Sequence, residues 1–115
     1  MQNEYLKKAE EYFKRGKEEY EKGLKERDVI KVSEGCEKMF HSLVELSNAI
    51  FSEHGIPLPE DHINRIDRLQ EFGMHRLYGW AQITLHNYCY YTGLIKEKLI
   101  NDAIDAIEQE IKKRR

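Results

Sequence analysis

His86 sits among Tyr88, Tyr90 and Tyr91 in the stretch ITLHNYCYYTG, residues 83–93. An imidazole titrates near neutrality and can carry a proton or hydrogen-bond an anion, while tyrosine offers a large ring with a polar tip. Two chemistries suit that mixture: a hydrogen-bonded histidine in an interface, or a general acid/base in a cleft between subunits. Arg68 and His75 form a second candidate, an arginine and a histidine with six residues between them, a spacing that could pair a phosphate-binding guanidinium with a proton-transfer group.

Glu37, His41 and Glu45 recur at helical steps of four and could present three ligands to a metal. A bundle metal site gathers its ligands from facing helices, so one strip on one helix reads as surface ion pairing, and no metal or other cofactor is expected. His54 and His62 bracket a proline connection, with Arg65, Arg68 and Arg76 downstream. Those arginines and the start of the helix that follows the prolines are the best local anchor for phosphate, because guanidinium forks and free backbone N–H groups both suit anions.

The elements that must hold these groups are helical. From Asn3 to about Gly23, Tyr5, Ala9, Tyr12, Phe13, Gly16 and Tyr20 recur at steps of three and four. Asp28 is placed to cap a second helix with the stripe Val29, Val32, Cys36, Phe40, Leu43, Ser47, Ile50 and Phe51, ended by Gly55. Pro57 and Pro59 break the chain, and Asp61 or His62 can cap a short third helix. A fourth runs from about His75 to Tyr91 and is closed by Gly93, and Ile100, Ala103, Ile104, Ile107 and Ile111 mark the fifth. The 115 residues make one domain, an all-α antiparallel bundle of four or five helices.

On a wheel of about 100° per residue, Leu77, Trp80, Ala81, Thr84, Tyr88 and Tyr91 share the core side of helix four. Gly79, Ile83, His86 and Tyr90 fall nearly opposite, which gives that helix a second face in need of a partner. A homodimer through helix four is the economical expectation, since two-fold dimers dominate soluble oligomers.

Composition limits the rest. A net charge of −2 supplies no global cationic field for nucleic acid, and a 35% charged share fits solvated helix faces. No apolar leader or membrane-length run is present, so a cytoplasmic protein is expected, with Cys36 and Cys89 as reduced core thiols. No Gly-rich phosphate loop or nucleophile elbow appears.

Two segments then look familiar together. WAQITLHNYCYYTGLIKEKLINDAIDAIEQEI (80–111), with aromatics and a glycine ahead of an acidic last helix, resembles the C-terminal half of archaeal PaREP-type proteins. HGIPLPEDHINRIDRL (54–69) is similar to the Gly-x-x-x-Pro-x-x-His connection of the wider HEPN superfamily. With the helices EYLKKAEEYFKRGKEEY and SEGCEKMFHSLVELSNAIF, the likeness covers most of the chain. It implies a four- or five-helix HEPN-like bundle and a dimer. The first functional reading is a non-catalytic binding protein whose dimer groove, lined by His86 and Tyr90, receives a nucleotide, an RNA segment or a protein partner. Many HEPN domains are instead metal-independent ribonucleases with an Arg-x(4–6)-His motif. Here His86 and Tyr88 look like its His-x-Tyr end, but positions 79–81 are Gly, Trp and Ala, so the arginine is missing. A ribonuclease using His86, or His75, with Arg68 or Arg76 is the alternative, and a purely structural dimer is the third reading.

Overall fold

Two long helices make the frame. In the computed structural model, which describes residues 3–115, α1 (Glu4–Glu26) and α2 (Val29–Glu53) are joined by Arg27 and Asp28. The reversal is local chemistry: Arg27 takes a left-handed conformation, φ 55°, and the Asp28 carboxylate accepts from the Lys31 N–H. The pair runs antiparallel, since Gly23 lies against Val32, Gly16 against Gly35, and the Asn3 amide reaches Ser52. Gly35 has a packing reason, because a Cβ there would stand 2.6 Å from the Tyr20 backbone nitrogen.

After α2, Gly55 is left-handed and the proline connection leads to α3 (His62–Leu69), capped by Asp61 through the Asn64 N–H. A 3₁₀ turn (Gln70–Phe72) and Gly73 precede α4 (His75–Ala81), and α5 (Glu97–Arg114) closes the chain. Ion pairs of Lys17 with Glu108 and of Arg115 with Glu10 set α5 antiparallel to α1. Its whole expected stripe, Ile100 to Ile111, is buried. Among the described residues there is no strand, and no helix is long and apolar enough to cross a membrane. The fold is all-α, a helical bundle.

Three expectations are corrected. In α1, Tyr12 is exposed and Tyr5 half-buried, while Leu6 and Gly23 complete the stripe. In α2, Val29 is exposed. The largest change is in the fourth helix, which continues past Ala81 with π winding from Gln82 to Tyr91. A hydrogen bond that closes on the fifth residue turns the chain less per residue than an α-helix does. The wheel at 100° therefore loses register after Ala81: Thr84 is buried, but Leu85 and Cys89 fill the core where Tyr88 was expected. Tyr88 and Tyr91 are 50% and 70% exposed.

The cysteines are in the core, as expected, but they are not free thiols. Cys36 and Cys89 are disulfide-bonded across a Cα–Cα distance of 6.3 Å. Packing of the π segment on α2 brings together residues that the sequence separates by 53 positions.

Candidate functional site

The π segment lies antiparallel to α2: the Ser33 hydroxyl donates to the Cys89 carbonyl, and one turn along Glu37 meets His86. His86 Nδ1 is 2.7 Å and 3.1 Å from the two Glu37 carboxylate oxygens. A carboxylate only accepts, so Nδ1 carries the hydrogen. Both side chains are largely covered, 17% and 16% exposed, which strengthens the interaction relative to a surface pair. The sequence wheel set His86 away from its own core; in the structure it leans on α2, with its ring stacked 4.9 Å from that of Phe40.

Around this imidazole the aromatic groups are uneven in exposure. Tyr91 meets the His86 ring edge-on at 4.8 Å, and Tyr90 lies parallel at 6.3 Å. Tyr90 and Ile83, 37% and 51% exposed, remain on the outer surface as expected, and Gly79 has only Ile66 near the place a Cβ would take.

His62 is the second imidazole of the cluster, 5.6 Å from His86 between ring centroids. The start of α3 carries it, and the Tyr78 hydroxyl on α4 holds its Nδ1 at 2.8 Å. Burial raises the Tyr78 pKa, so its hydroxyl keeps its proton. Burial is also the main reason the His62 pKa lies below the usual 6.5, followed by repulsion from His86 and Arg65. A neutral His62 that accepts at Nδ1 presents Nε2–H. The cluster thus offers one ring nitrogen fixed by a carboxylate and one fixed by a phenol.

The arginines are not at this surface. Arg65 turns inward: it donates to Ser47, Asn48 and the Pro59 carbonyl and lies 5.8 Å over the Phe51 ring. With one short helix carrying it toward α2, its guanidinium joins the proline connection to the core rather than facing an anion. Arg68 is exposed and reaches Glu71, and no hydrogen bond joins it to His75. The His75 Nδ1 is buried without a partner among the described residues. Arg76 lines a separate groove of about 440 Å³ with Trp80 and Glu110. The expected arginine patch is dispersed.

The strip Glu37, His41 and Glu45 also comes apart. Glu37 belongs to His86, Glu45 accepts from Asn48, and exposed His41 lies 6.0 Å from the Tyr12 ring. Among the described residues, no group of three or more His, Cys, Asp or Glu is placed to hold a metal. A wide groove of about 880 Å³ between α1 and α5 includes none of the candidate residues and is walled by lysines and glutamates.

The sequence missed Glu37 as the partner of His86 and Tyr78 as the partner of His62. Neither pair has a spacing to betray it, since the partners lie 49 and 16 residues apart. Against family models, curated proteins and solved structures the chain has no match, and the His86 surface stands on its own chemistry.

Proposed function

We propose that this chain is a non-catalytic, HEPN-like dimeric binding protein whose His86 surface takes a nucleotide or a short RNA segment between two copies. One observation carries the reading: His86 is fixed on Glu37 directly beside the exposed rings of Tyr90 and Tyr91. Exposed tyrosine rings accept nucleobases by stacking, worth about 1–3 kcal/mol per base. The free nitrogens of His86 and His62 are the polar groups available to a phosphate or a base edge. Ile83 and Tyr90 supply the apolar surface a second copy would cover, and Gly79 leaves its backbone open to close approach.

Titration of the protein with mononucleotides and a mixed single-stranded RNA tests this, with sedimentation to give the oligomeric state. Binding that weakens about tenfold in Tyr91→Ala and in His86→Ala, both folded, supports the reading. A dimer that binds none of these ligands overturns it in favour of a structural dimer, and a monomer removes the shared groove.

A second reading, a metal-independent ribonuclease, is favoured by the His86–His62 spacing: two imidazoles held at Nδ1 by Glu37 and Tyr78 could remove and return a proton. It ranks second because Arg65, the arginine nearest His62 in sequence, is bound inward, and Arg76, the nearest to His86, lines a separate groove. Cleavage of RNA without metal, lost in His86→Ala, would move it to first place.

A further inference from the structure

The Cys36–Cys89 disulfide adjoins the contact that orients His86. Cys36 precedes Glu37 on α2, and Cys89 follows His86 by three residues on the π segment. Both cysteines are fully buried. The segment between Gln82 and Tyr91 has two windings that satisfy different side chains. As a π-helix it buries Leu85 and Cys89 and leaves Tyr88 outside. At about 100° per residue, the same sequence would bring Tyr88 into line with Ala81 and Thr84. It would also turn His86 toward the side of Ile83 and Tyr90 and carry Cys89 out of the buried face, onto the flank beside His86. The π segment is ten residues long, more than the single-turn bulge in which this winding usually occurs, so something must hold it. The disulfide is the covalent tie between this segment and α2.

We propose that Cys36–Cys89 is a redox-controlled lock on the His86 site. Oxidised, it keeps the segment in π winding with His86 on Glu37. Reduced, the segment rewinds toward α, Tyr88 turns inward and His86 leaves Glu37. The reductant is a dithiol. One of its thiolates attacks a cysteine sulfur, breaking the S–S bond and forming a mixed disulfide while the other cysteine leaves as a thiolate. The second thiol of the reductant then displaces the first cysteine. Two electrons and two protons pass to Cys36 and Cys89, and the reductant ends as its own disulfide. Access follows opening of the segment from its C-terminal end, where residues 90–94 are all exposed.

The inference rests on the reading of His86 as the binding group for its consequence, but its test needs no ligand. Thiols are counted by alkylation of the denatured chain before and after a dithiol. NMR of the ligand-free protein then follows the His86 ring protons, shifted by stacking on Phe40, and amide exchange over 82–91. The expected result is no free thiol before reduction and two after, a reduced chain that stays helical and melts cooperatively, altered His86 resonances, and exchange over 82–91 at least tenfold faster. Cys89→Ser should match the reduced wild type where it folds; the reduced wild type decides where it does not. Two free thiols that resist oxidation, unfolding of the whole chain on reduction, or identical His86 and 82–91 signals in both states would each overturn the lock. Ligand binding that fails while these signals change would overturn only the proposed function.

Discussion

Glu37 on α2 and His86 on the π segment are joined by a 2.7 Å hydrogen bond, the only polar side-chain pair that ties these two elements among the described residues. Because both groups are mostly covered, the bond should register in stability. A double-mutant cycle of Glu37→Ala and His86→Ala, read by urea denaturation, is expected to give a coupling of about 1–2 kcal/mol. Additive effects would mean that the imidazole is positioned by Phe40 stacking alone.

The His62 environment predicts a pH dependence. Its folded pKa is depressed below 6.5 by burial and by the nearby His86 and Arg65, with Glu37 and Asp61 opposing. The unfolded chain therefore binds the proton first. Stability is intact above pH 6.5, falls as pH drops through the folded pKa, and levels off beneath it. His62→Asn, whose side-chain oxygen can still accept from Tyr78, should flatten this part of the stability–pH curve. An unchanged slope in His62→Asn would assign the acid loss to other groups.

Arg65 is a buried cation bound to Ser47, Asn48 and the Pro59 carbonyl rather than to a carboxylate. Arg65→Ala leaves three acceptors unpaired and should cost about 3 kcal/mol, with the proline connection the first part to lose amide protection. A loss under 1 kcal/mol would show that water replaces the guanidinium.

The Tyr20 hydroxyl is buried without a hydrogen-bond partner among the described residues, and burial, with Glu97 and Glu21, pushes its pKa up to about 12. Tyr20→Phe removes that stranded group while keeping the ring in the core. The expected result is a gain of about 1 kcal/mol and a Tm several degrees higher. A lower Tm would mean that the hydroxyl is satisfied in solution.

The sequence by itself determined the helices that obey one local period. The α5 stripe, the Asp28 cap and the left-handed Gly55 and Gly93 follow from spacing and backbone preference, which neighbouring residues are enough to express, while the sequence narrows the cap of α3 to Asp61 or His62 and the structure selects Asp61. It also picked out His86, because an imidazole among tyrosines is unusual in a chain of lysines and glutamates. Tertiary structure alone decided what His86 touches. The change from α to π winding after Ala81 shifts every later side chain, and a wheel that assumes a constant turn cannot register it. The partners of the site, Glu37 for His86, Tyr78 for His62 and Cys36 for Cys89, come from other elements. Arg65 turned inward for the same reason: burying α3 on α2 placed the acceptors of Ser47 and Asn48 within its reach, a choice made by packing between helices rather than by the residues beside it in the chain.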